Sequence, residues 1–111
     1  MTTIRIKIPA GAYRVILTIT ELLSKQIKVY DPATLITQEC LDSILVKLNK
    51  RKYSKQDNLY MSLSLIEMVV FINKVGDAMF EAGEYEKAIM RDVKENLYIQ
   101  VNREIQIRMF N

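Results

Sequence analysis

The nine residues Met1-Thr-Thr-Ile-Arg-Ile-Lys-Ile-Pro9 restrict the fold more than any other stretch of the chain. Ile4, Ile6 and Ile8 alternate with Thr3, Arg5 and Lys7. Successive side chains of a strand point to opposite faces, so a strand here is apolar on one side and cationic on the other. Pro9 has no amide hydrogen to give to a ladder and closes the strand. The residues after Pro9 read as helix. A lone two-faced ribbon ahead of helices leaves backbone groups unpaired, and it needs a partner.

The helical reading rests on spacing. Ala12, Tyr13, Ile16, Ile19, Leu23 and Ile27 recur at three- and four-residue steps, which puts them on one helical face. Val15 to Thr20 is rich in β-branched residues and supports a strand, with a hairpin around Pro9–Ala12, as the alternative. The same stripe continues unbroken through Glu21–Gln26, which favours the helix. Asp31-Pro32 marks the next start, because Asp caps free amides and Pro at the first helical position loses no hydrogen bond. That helix is predicted from Pro32 to about Lys50, with Ile36, Cys40, Ile44 and Leu48 on one face and Leu41 and Leu45 beside them. Lys47, Lys50, Arg51 and Lys52 gather at its end, where positive charge suits the helix dipole.

Ser54-Lys-Gln-Asp57 resembles a capping box ahead of a third helix, Leu59 to Ala82. Its first half is apolar nearly all round and must be covered, by its own chain or by another copy. Gly83 breaks it. A fourth helix, from about Glu84 to Ile105, carries Tyr85, Ala88, Ile89, Val93, Leu97 and Val101 along one stripe. The tail Glu104–Phe110 alternates like the N-terminus and is compatible with a fraying helix or a short strand. The expected fold class is therefore mainly α, a short N-terminal β-strand followed by about four helices.

Composition narrows the function. With 111 residues, half of them apolar, the chain has material for one small core. Cys40 is the only cysteine and there is no histidine. An internal disulfide, a Cys/His metal site and a His-based triad are thus out of reach, and Cys40 reads as a buried small hydrophobe. No phosphate-binding Gly loop occurs. Glu81, Glu84 and Glu86 cluster at a turn, where solvation accounts for them. Neither catalysis nor a cofactor is expected. No signal peptide is visible, and Leu59–Ile72 is short of the ~18–20 residues of a membrane span and holds Glu67, so a cytoplasmic protein without membrane contact is the expectation.

Charge is unevenly placed. Residues 1–55 hold ten Lys or Arg against four Asp or Glu, a net +6, while residues 56–111 hold six against nine, a net −3. A basic front half is suited to an anionic partner.

Strand, proline, helix, turn, helix is the order of the ribbon-helix-helix DNA-binding proteins, and Ile4-Arg-Ile-Lys-Ile-Pro9 resembles their opening ribbon. Ala12, Tyr13, Ile16 and Ile19 continue the resemblance, which covers about residues 3–50. It implies a homodimer in which two chains pair their ribbons in the major groove of double-stranded DNA. Thr3, Arg5 and Lys7 would face the DNA, and Ile4, Ile6 and Ile8 would seal the dimer core. Ala33 and Thr34, behind Pro32 at the amino end of the second helix, would meet a phosphate. The sequence departs from that family in the Ala10-Gly11 opening of the first helix and in the long connection from Leu23 to Asp31.

A second resemblance is local. Val75 to Ile89 is similar to the turn of a tetratricopeptide hairpin, with Gly76, Gly83, Tyr85 and Ala88 at that family's spacing. Gly76 would let two helices approach, Gly83 would make the turn and Ala88 would pack in the crossing. No second copy occurs 34 residues earlier, so a single helical hairpin is expected.

The two resemblances divide the chain into a ribbon-helix-helix-like DNA-binding module, residues 1–53, and a helical hairpin, residues 54–111, for oligomerisation or a protein partner. The expected function is that of a small non-enzymatic dimeric DNA-binding protein, in transcription regulation or in plasmid partition or mobilisation. The alternative is a helical adaptor or assembly protein with no nucleic-acid role, whose N-terminal strand augments a partner's sheet.

Overall fold

A computed structural model of the chain describes residues 2–51 and 58–110. The N-terminal alternation forms strand β1 (Thr3–Pro9) as expected, with Ile4, Ile6 and Ile8 buried and Thr3, Arg5, Lys7 and Pro9 exposed. A short 3₁₀ turn, Ala10–Ala12, leads into α1 (Tyr13–Gln26), and α2 spans Pro32–Asn49. The β-branched run in α1 therefore stays helical. Ala12, Tyr13 and Ile16 are buried and Ile19, Leu23 and Ile27 pack against the core, so the stripe read from spacing is the packed face.

Asp31 starts α2 as its sequence requires. Its carboxylate accepts from the Thr34 amide and from Thr34 Oγ1, both at 2.8 Å, and Thr34 Oγ1 accepts from the Asp31 amide at 3.2 Å. The bond from the Thr34 amide, followed by the hydroxyl bond, holds the Asp31 carboxyl below its ordinary value. Cys40, Leu41, Ile44 and Leu48 are the buried face of α2, whereas Ile36 is exposed. The Tyr13 hydroxyl donates to the Leu48 carbonyl and ties the start of α1 to the end of α2.

The main departure lies beyond residue 57. The expected helix from Leu59 opens instead as strand β2 (Asn58–Ser64), with Leu59, Met61 and Leu63 buried and Tyr60 and Ser62 exposed. It lies antiparallel to β1, pairing Ile4 with Leu63, Ile6 with Met61 and Ile8 with Leu59. The expected capping box at residues 54–57 lies outside the described residues. The box that does start the helix is Ser64-Leu-Ile-Glu67: Ser64 Oγ accepts from the Glu67 amide at 3.2 Å and Glu67 Oε1 accepts from the Ser64 amide at 2.8 Å.

From there the chain is helical through α3 (Leu65–Val70), a π-helical stretch (Phe71–Gly76) and α4 (Asp77–Ala82), which succeed one another without a break. Gly83 interrupts it, and α5 (Glu84–Phe110) returns. The hairpin expected around Gly83 is thus present, and the tail that alternates from Glu104 is helix through Phe110. Gly76 sits where the hairpin helices approach: a Cβ there would stand 3.2 Å from Lys94 Cε and 3.7 Å from Met90 Cγ. Ala88, expected in the crossing, is exposed, and Met90, Val93 and Leu97 form the buried stripe of α5.

One core draws on both ends of the chain. Ile4, Ile6 and Ile8 pack in the same cluster as Ile16, Ile44, Leu63, Phe71, Met79, Met90 and Leu97. The division at residue 53 therefore does not separate two cores, because the sheet joins a strand from each side of it. The fold is mainly helical with one short strand pair, and among the described residues no helix is long and apolar enough to cross a membrane.

Candidate functional site

The sheet has one buried face and one open face. On the open face the register sets Arg5 opposite Ser62 and Lys7 opposite Tyr60, with Thr3 opposite Ser64 at one end. The Arg5 guanidinium carbon lies 4.2 Å from the centroid of the Tyr60 ring, a diagonal cation–π contact across the strands.

Both edges of the sheet are occupied at the Arg5–Ser62 pair. On the β1 side, the Gln100 side chain of α5 acts as a third strand: its Oε1 accepts from the Arg5 amide at 3.0 Å and its Nε2 donates to the Arg5 carbonyl. On the β2 side, Lys47 Nζ of α2 donates to the Ser62 carbonyl at 2.8 Å. These bonds satisfy outward backbone groups that an open edge would leave unpaired.

Helices thereby frame the open face, and a depression lies on each side of the Arg5–Tyr60 pair. One, of about 670 Å³, runs between Arg5, Tyr60 and Ser62 and the end of α2, where Lys47, Lys50 and Arg51 stand. The other, of about 510 Å³, runs between Arg5, Lys7 and Tyr60 and Asn96, Gln100 and Arg103 of α5. No carboxylate among the described residues lines either one. Cations from three elements thus converge on one surface, where the field they share attracts anions more strongly than any one alone.

Lys47 differs from the rest. Its Nζ bonds Glu67 Oε1 at 2.8 Å and Oε2 at 3.1 Å, and Ser43 Oγ donates to Oε2 at 2.6 Å. Burial alone would push the Glu67 carboxyl up. Lys47, Ser43 and the amide and hydroxyl of Ser64 together outweigh it and hold the group at about 2. Lys47 is therefore a tie among α2, β2 and α3, with its charge already matched, and the cations that face outward are Arg5, Lys7, Lys50, Arg51 and Arg103.

Thr3, Arg5 and Lys7 stand on one open face, as the alternation requires. Ile4, Ile6 and Ile8, expected to seal a contact between two copies, are only 3 %, 1 % and 1 % exposed within a single chain. Their partner is β2, because Leu59, Met61 and Leu63 supply a matching apolar row in the same molecule. Ala33 and Thr34 do not join the site. They lie at the opposite end of α2, roughly 20 Å along its axis from Lys47 at 1.5 Å per residue. The Thr34 amide and hydroxyl are also committed to Asp31.

Spacing alone missed Tyr60 and Ser62, because Tyr60 counted as apolar hid the alternation of Leu59, Met61 and Leu63 with Tyr60, Ser62 and Ser64. Asn96, Gln100 and Arg103 carried no signal in the sequence, since only the return of α5 past β1 brings them to the sheet. No protein-family model, curated protein or solved structure matches the chain.

Proposed function

We propose that this protein is a non-enzymatic nucleic-acid-binding protein that uses the open face of the β1–β2 sheet. The observation that carries the reading is the convergence of Arg5 and Lys7 of β1, Lys50 and Arg51 at the end of α2 and Arg103 of α5 around Tyr60, with no carboxylate among the described residues lining the two depressions. Arg and Lys bind phosphate oxygens, and an exposed aromatic ring offers a stacking surface to a base. This differs from a two-copy ribbon in that one chain supplies both strands.

Replacing Arg5 and Lys7 together with alanine is expected to weaken binding to a nucleic-acid oligonucleotide and to flatten its salt dependence. Loss of two phosphate contacts lowers the slope of log K against log salt by about 2. Fluorescence anisotropy at several salt concentrations reads both quantities. Unchanged affinity and slope in the double variant would exclude the sheet face as the binding surface.

A second reading, a protein-assembly role for residues 54–111, is favoured by the last turns of α5. There Ile107, Met109 and Phe110 are 54 %, 72 % and 84 % exposed. Exposed apolar groups so close together fit a protein contact better than a solvated helix end.

A further inference from the structure

The nucleic acid this surface fits is single-stranded, we infer, with its backbone crossing the sheet from the end of α2 to α5 and a base stacked at the Arg5–Tyr60 pair. The inference rests on the nucleic-acid reading above and specifies its substrate class.

The first reason is width. The major groove of duplex DNA is about 12 Å wide and admits a two-stranded ribbon whose edges are free. Here neither edge is free. Gln100 fastens α5 along β1 at Arg5, and Lys47 fastens the end of α2 along β2 at Ser62. Two strands about 4.8 Å apart, with a helix about 10 Å in diameter on one edge alone, already exceed the groove. The open face is the floor of a framed trough, which a duplex cannot enter and a single strand can.

The second reason is the order of groups across that trough. Lys50 and Arg51 stand on one side, the Arg5–Tyr60 pair in the middle, and Arg103 on the other, with Asn96 beside it. Cations on both flanks suit successive phosphates, and the central pair suits the base between them. Tyr60 is 38 % exposed and is partly covered by the Arg5 guanidinium, which itself stacks on bases. Contact through the ring face and the guanidinium carries no base-specific hydrogen-bond pattern, so the surface should tolerate many sequences.

The test is fluorescence anisotropy with labelled oligo-dT, oligo-rU and a mixed-sequence duplex, each of about twelve units, a length within the usual range for one single-strand-binding fold. Both single strands are expected to bind at least tenfold more tightly than the duplex at equal salt, and a difference between dT and rU assigns the sugar. Tyr60→Ala is expected to lose roughly tenfold to hundredfold in single-strand affinity, and Tyr60→Phe to retain it. Lys50→Glu with Arg51→Glu, on a surface where folding is not at stake, is expected to lose single-strand binding as well. Equal or tighter duplex binding, or full single-strand affinity in Tyr60→Ala, would overturn this inference and leave the broader reading standing. Absence of binding to all three probes would overturn both.

Discussion

Replacing Ile6 with alanine is expected to lower the free energy of unfolding by about 2–5 kcal/mol. Ile6 is 1 % exposed and lies across from Met61 on the buried face of the sheet. The site has little freedom to collapse around a cavity, because Gln100 holds β1 from one side and β2 holds it from the other. Lys7→Ala, one step along on the open face, is the internal control and is expected to stay within about 0.5 kcal/mol. Chemical denaturation measures both. The midpoint should not move with protein concentration, since the strand's partner is in the same molecule and no association is linked to folding. A loss below about 1 kcal/mol in Ile6→Ala, or a midpoint that rises with concentration, would place the partner strand elsewhere.

The second large effect concerns Glu67. Its carboxyl is held at about 2 against an ordinary value of 4.5, so the folded state favours the ionised form. The stabilisation this provides is complete above about pH 4.5 and is lost as pH falls from there through about 2. The wild type is expected to weaken across that window. Glu67→Gln is expected to be less stable at neutral pH by about 1–3 kcal/mol, because Lys47, Ser43 and the Ser64 amide lose a charged acceptor. Its stability should change less between pH 5 and pH 2, so that the two proteins converge in acid. Thermal unfolding at a series of pH values measures this. Parallel pH profiles for the two proteins would show that Glu67 does not carry the acid sensitivity.

Much of this arrangement was legible in local patterns, and the rest depended on distance along the chain. Ile4, Ile6 and Ile8 alternate cleanly, and their burial and the exposure of Arg5 and Lys7 follow from that alone. Asp31-Pro32 and Gly83 likewise set boundaries through chemistry confined to a few residues. β2 was hidden because Tyr60 completes an apparently continuous apolar run that suits a helix as well as a strand. The signal against a helix from Leu59 was Ser64-Leu-Ile-Glu67, a capping box placed after the strand. With β2 unrecognised, β1 lacked an internal partner and a second copy was the remaining way to bury its apolar face. Gln100 belongs to a different class. Nothing near it in sequence marks a residue that stands beside Arg5 from 95 positions away, and only the packed fold places it there.

The pairing of β1 with residues 58–64 of its own chain is tested most directly by a cross-strand disulfide. Gln100 takes up the backbone groups of Arg5 that point away from β2, so Arg5 and Ser62 form a non-hydrogen-bonded pair, with Cα atoms about 4.5 Å apart in such pairs and within disulfide reach. In a Cys40→Ala background, Arg5→Cys with Ser62→Cys is expected to oxidise to a species of monomer mass carrying one internal disulfide. A disulfide-linked dimer, or two thiols that stay free under oxidising conditions, would contradict the pairing.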